Sequence, residues 1–145
     1  MKKITFIALL FFFQAFNISA NEPKLDQIIN GLDNPWSLTF LNNDRVLITE
    51  KSGNLLLVNL SNKKTQKIKH NLNILEDGQG GLLEVLYYKD QVFVSYTEDR
   101  KKGKTSTSVA KGEFNDLELN FKNIFRAEPP INSGYHFGSR LVIKD

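Results

Sequence analysis

Two stretches of this 145-residue chain decide its fold when set side by side: SLTFLNNDRVLITE, Ser37 to Glu50, and LLEVLYYKDQVFVSYTE, Leu82 to Glu98. Each opens on an apolar run, passes through a short polar turn containing an aspartate, and returns along a second apolar run that closes on Thr-Glu. Short runs rich in β-branched and aromatic side chains, bounded by Asn, Asp, Gly or Ser, form strands joined by tight turns. Leu38 and Leu83 lie 45 residues apart, so the pattern is a repeat. Between the copies, NLLLVNL (Asn54 to Leu60) and TQKIKH (Thr65 to His70) supply two further strands. A third copy begins at SRLVIKD, Ser139 to Asp145. No window carries a sustained helical period. Only PKLDQIINGL, Pro23 to Leu32, suits either a short helix or an edge strand.

Antiparallel strands repeating every forty to fifty residues are the signature of β-propeller blades. The expected fold is therefore all-β. Blade one runs from Trp36 to Leu75 and blade two from Leu82 to Phe125, and the start of a third follows at Ser139. So few blades cannot close a ring, and an unclosed stack exposes sheet faces and strand edges. The expectation is an N-terminal fragment, residues 21–145, of a longer propeller domain. The competing reading is a complete small β-sandwich of seven or eight strands, which needs Asp145 to be a true terminus.

Residues 1–20 read differently. Lys2 and Lys3 precede an apolar run from Ile4 to Phe13, and the small-residue end NISA closes at Ala20. That is the anatomy of a secretory signal peptide; the run is about half the length a membrane span needs. A mature chain starting near Asn21 would be periplasmic or secreted, with no membrane span. Removing the leader lowers Lys plus Arg from 19 to 17 against 16 acidic residues. A nearly neutral chain gives no electrostatic case for nucleic acid, and RKKGK, Arg100 to Lys104, reads as a solvated loop. With no cysteine, a thiol nucleophile, a disulfide framework and a Cys-ligated metal are excluded.

Two polar residues stand between glycines just before a blade's first strand: Gln79 in EDGQGGLLEV (Glu76 to Val85) and His136 in SGYHFGSRL (Ser133 to Leu141). In a propeller, such loops from successive blades share one rim of the central channel. A neutral imidazole there can accept a proton from a substrate hydroxyl, and flanking glycines let backbone and ligand approach closely. Taken alone, a single histidine is more often structural, and Gly-Gln-Gly-Gly is often only a tight turn. The second histidine, His70, follows a basic strand and is expected in a solvated position.

The segments GLDNPWSLTFLNNDRVLITEKSGNLLLV (Gly31 to Val58), GQGGLLEV (Gly78 to Val85), VFVSYTE (Val92 to Glu98), STSVAKGEF (Ser106 to Phe114) and HFGSRLVI (His136 to Ile143) together resemble the soluble, quinone-dependent aldose sugar dehydrogenases of the glucose/sorbosone dehydrogenase family. The resemblance implies a six-bladed propeller carrying pyrroloquinoline quinone at the channel rim, with calcium nearby. It implies His136 as the catalytic general base at the sugar C1 hydroxyl, with hydride passing to the quinone and the sugar leaving as a lactone. Gln79 becomes a cofactor-binding contact, Arg140 a structural residue, and an aldose the substrate; the electron acceptor is not indicated. Tyr135 stands where some relatives carry an acidic residue, and the turn YYKDQ, Tyr87 to Gln91, is shorter than in many. The blades expected to clamp the cofactor carboxylates lie outside this chain, so the chain alone is expected to be inactive. The alternative from another class is a non-catalytic secreted propeller that binds partners through its loops.

Overall fold

The structure is a computed structural model that describes residues 23–144. The expected signal segment and its cleavage site lie outside the described residues. Nine strands and no helix occur among the described residues. The first four, β1 (Pro35–Phe40), β2 (Arg45–Glu50), β3 (Leu55–Asn59) and β4 (Lys64–His70), form an antiparallel meander. The second repeat gives β5 (Leu82–Tyr88), β6 (Gln91–Asp99) and β7 (Thr105–Glu113), followed by β8 (Glu118–Leu119) and β9 (Lys122–Arg126). The two sheets, β1-β2-β3-β4-β8 and β5-β6-β7-β9, are two successive blades of a β-propeller.

Period-two alternation sets which side chains meet between the sheets. Leu47 pairs Leu57 across β2 and β3. Both join Leu55 and Ile68 in facing Leu82, Val85, Val92, Val94, Tyr96 and Ala110 of the second sheet. On the opposite face of the first sheet, Val46, Ile48, Leu56 and Val58 form a second apolar cluster. A sheet apolar on both faces is what an internal layer of a stack requires. Among the described residues, no buried side-chain nitrogen or oxygen lacks a hydrogen-bond partner.

Three expectations are corrected. Pro23 to Leu32 is neither helix nor strand. With no strand beside it to complete a ladder, it buries side chains instead, and Ile29 and Leu32 pack on the second cluster. Blade one is not a closed four-stranded unit. The two-residue β8, from the second repeat, adds in parallel to β4, pairing Lys69 with Glu118 and His70 with Leu119. Leu119 and Phe121 thereby enter the inter-blade core, and β9 takes the outer place beside β7. Finally, Ser139 to Ile143 is not a strand. A strand is defined by its ladder, and no described strand pairs with this segment. It crosses the inner strands laterally instead: Ser95 donates its hydroxyl to the Ser139 carbonyl at 2.6 Å, and the Trp36 indole donates to the Ser139 hydroxyl at 2.8 Å.

Candidate functional site

The first site loop, Glu76 to Gly81, leads into β5 and is held from three sides. The Leu82 amide donates to the Lys51 carbonyl at 3.1 Å, so the end of β2 sets where the loop stops. Thr97, fully buried in β6, pins Gly81: its hydroxyl accepts from the Gly81 amide at 3.2 Å, and its amide donates to the Gly81 carbonyl at 2.9 Å. The Lys51 ammonium donates to the Gly78 carbonyl. Within the loop, the Gly80 amide donates to the Asp77 carbonyl at 2.7 Å.

The second loop, around Ser133 to Gly138, hangs from β7. Thr105 and Ile131 exchange backbone hydrogen bonds of 2.7 and 2.9 Å, and the Thr105 hydroxyl donates to the Ser133 carbonyl at 3.1 Å. The two loops then meet. The Gln79 amide donates to the Gly134 carbonyl at 2.7 Å, and the His136 backbone amide donates to Oε1 of Gln79 at 3.0 Å. The contact demands glycine at Gly78, whose φ is +54° and where a β-carbon would collide with the Gly134 carbonyl oxygen.

Both residues singled out in the sequence are therefore brought together, 57 positions apart, at the junction of two blades. Both are exposed. His136 itself adopts φ +66°, a left-handed conformation uncommon outside glycine. Its ring has no hydrogen-bond partner among the described residues, and the exposed ring of Tyr135 lies 6.4 Å away between centroids. Arg140 donates to Glu84 at 3.0 Å, across to the buried face of β5.

His70 is not the solvated residue expected from its basic neighbours. It is half-buried, and its Nε2 lies 2.7 Å from the Gly53 carbonyl. Its Nδ1 accepts from the Leu72 amide at 3.4 Å, and its ring meets Phe121 edge-on. Both ring nitrogens are engaged in holding the turn after β4.

Three supporting residues escaped the sequence reading: Lys51, Thr97 and, beside Gly134, the Asp77 carboxylate. The signal for one of them, Thr97, was present in the Thr-Glu repeated near the ends of β2 and β6. Thr97 anchors the loop, and its neighbour Glu98 stiffens the strand that carries it. Oε2 of Glu98 accepts from Ser108 at 2.7 Å, Asn123 at 3.1 Å and Arg126 at 2.8 Å. Burial is the largest single influence on this carboxyl and works to raise its pKa, but the hydrogen bonds from Arg126 and Ser108, with the charges of Arg126 and Arg100, hold it below the usual carboxylate value.

The residues present fit one edge of a quinone cofactor. An imidazole with no hydrogen-bond partner among the described residues, an exposed side-chain amide and the Lys51 ammonium at the first loop give a proton acceptor, hydrogen-bond donors and a positive charge. No group of three or more His, Cys, Asp or Glu able to hold a metal ion occurs among the described residues. No helix among them is long and apolar enough to cross a membrane.

Comparison with known proteins follows the same lines. Residues 32–145 match the family model described as Glucose / Sorbosone dehydrogenase. Aldose sugar dehydrogenase YliI of Escherichia coli is 34% identical over 120 residues, an alignment covering 77% of this chain and 32% of that protein. A crystal structure of glucose dehydrogenase superposes with a TM-score of 0.76 at 37% identity, covering 81% of this chain and 37% of the other. The PQQ-bound form of aldose sugar dehydrogenase from Streptomyces coelicolor shares the fold, with a TM-score of 0.64 at 17% identity, over 72% of this chain and 34% of that one. The chain spans about a third of the length of the curated relatives it matches. With two blades and the family model running from Leu32 onward, this chain belongs to the glucose/sorbosone dehydrogenase family.

Proposed function

We propose that this chain is the N-terminal part of a soluble, periplasmic or secreted aldose sugar dehydrogenase that uses pyrroloquinoline quinone, with residues 1–20 as its export signal. One observation carries the reading: an exposed imidazole with no hydrogen-bond partner among the described residues, whose backbone amide is held by the side chain of Gln79 at the loop between the two blades. Family membership, the aldose sugar dehydrogenase of Escherichia coli and the PQQ-bound structure that shares this fold support it. Calcium enters the proposal by family resemblance alone.

Oxidation of an aldose at C1 removes a proton from the hydroxyl oxygen and a hydride from the carbon, leaving a lactone. When bound, the quinone supplies the two-electron acceptor for that hydride. His136 takes the proton, since a neutral imidazole has a pKa near working pH and needs little tuning to do so. Gln79 and the glycine-rich loop shape the wall beside it, and Lys51 places a positive charge against that wall. Further blades would supply the remaining cofactor contacts, so this chain alone would not turn over.

The test is steady-state oxidation of several aldoses by the full-length protein with an artificial electron acceptor. Acceptor reduction that needs both sugar and added quinone is the expected result. Sugar or quinone binding without any turnover would favour a non-catalytic binding propeller instead.

A further inference from the structure

We infer that Gln79 is a positioning residue, whose side-chain carbonyl clamps the His136 backbone in its left-handed conformation and so aims the imidazole. Gln79 as a cofactor contact follows from family resemblance; the geometry gives it this separate task. The inference rests on the proposed role of His136 only for its catalytic consequence.

Three observations carry it. First, His136 sits at φ +66°, where a side chain other than glycine is unfavourable and needs outside support. Second, that support is not local. Glycines precede and follow the Tyr135–Phe137 segment, and the Tyr135 amide is satisfied within its own loop by the Ser133 hydroxyl at 3.1 Å. The His136 amide instead reaches the other loop, at 3.0 Å from Oε1 of Gln79. Third, the clamp is itself anchored. The Gln79 amide donates to the Gly134 carbonyl at 2.7 Å, two residues before His136, so one residue grips the second loop on both sides of Tyr135.

The donor's identity also fixes the orientation of the Gln79 amide. A backbone N–H can only donate, so the atom facing it is the oxygen. The carbonyl end of Gln79 is thus committed to the protein, and its NH₂ end faces away from that bond. The two ends therefore have different jobs, and two substitutions separate them. Gln79→Glu keeps an acceptor for the His136 amide and removes the NH₂ donors. Gln79→Met keeps length and removes both.

The experiment uses the full-length protein and two readouts. Hydrogen–deuterium exchange of the peptide spanning residues 133–138 reports the clamp, whether or not the protein is a sugar dehydrogenase. Turnover across a pH series, taken at its plateau because Gln79→Glu adds a charge near the imidazole, reports the catalytic consequence. Gln79→Met should exchange much faster than wild type and lose about 10²-fold in kcat, the scale of an ångström-sized misplacement. Gln79→Glu should keep the exchange protection, and its plateau kcat should fall less than that of Gln79→Met. Unchanged exchange in Gln79→Met, or equal loss of protection in both variants, would overturn the clamp. Loss of turnover in both with protection intact in both would assign Gln79 to the ligand and overturn the inference as well. A His136→Asn variant with normal turnover would sink the functional reading while leaving the exchange result to decide the clamp.

Discussion

Gly78→Ala should unfasten the two loops, and Gly103→Ala shows how much of its effect is backbone strain alone. Both glycines lie at positive φ, +54° and +71°. An alanine held in that region costs about 1 kcal/mol or slightly more. At Gly103 nothing lies within 4 Å of the new methyl group, so strain is the whole effect. At Gly78 the methyl group meets the Gly134 carbonyl oxygen, and backbone rather than a flexible side chain must move. Moving it breaks the 2.7 Å hydrogen bond from the Gln79 amide, a further loss of about 1 kcal/mol. Gly78→Ala should therefore destabilise by roughly 2–3 kcal/mol against about 1 kcal/mol for Gly103→Ala. The urea midpoint of the full-length protein measures this. Turnover should divide the two more sharply. Displacing Gln79 and His136 by about an ångström costs about 10²-fold, whereas Gly103→Ala should work normally. Equal midpoints and equal turnover in the two variants would refute the claim that these loops form one unit.

Leu47→Ala empties a fully buried position between the blades and should cost about 2–5 kcal/mol in denaturant unfolding. Glu98→Gln removes a carboxylate that three donors share, which should cost about 2 kcal/mol at neutral pH. Because the folded pKa of Glu98 is lowered, its contribution is present above the ordinary carboxylate range and is lost as pH falls through the lowered value. An acid-unfolding series should accordingly show a smaller loss across that window in Glu98→Gln than in wild type. His70→Asn should lower stability by about 1 kcal/mol, because its bond to the Gly53 carbonyl is lost, and should leave turnover unchanged.

Strand positions were legible in the sequence where local pattern decides them. RVLITE became β2 with the same bounds, since its short β-branched apolar run and flanking turns both mark a strand, here buried on both faces. The glycine-flanked Gln79 and His136 were legible for the same reason, as unusual residues in tight, permissive loops. What was not legible depends on partners far along the chain. β8 is two residues long and exists only because it lies beside β4. Ser139 to Ile143 is apolar enough for a strand but has no ladder partner among the described residues, so its side chains and carbonyls bind sideways. His70 followed a run of lysines and looked solvated, yet the Gly53 carbonyl 17 residues earlier holds it. The sequence reading set Gln79 and His136 on loops that share one rim; the hydrogen bond that joins them depends on how those loops pack.

The central claim is that His136 acts as a general base in sugar oxidation, and His136→Asn tests it most directly. Asparagine tolerates the left-handed conformation of this position better than most residues, so the loop junction should survive and only the imidazole is lost. The measurement is kcat for aldose oxidation by the full-length protein supplied with quinone and calcium. A fall of about 10²–10⁴-fold with quinone affinity retained is the predicted result, and a near-normal kcat would contradict it.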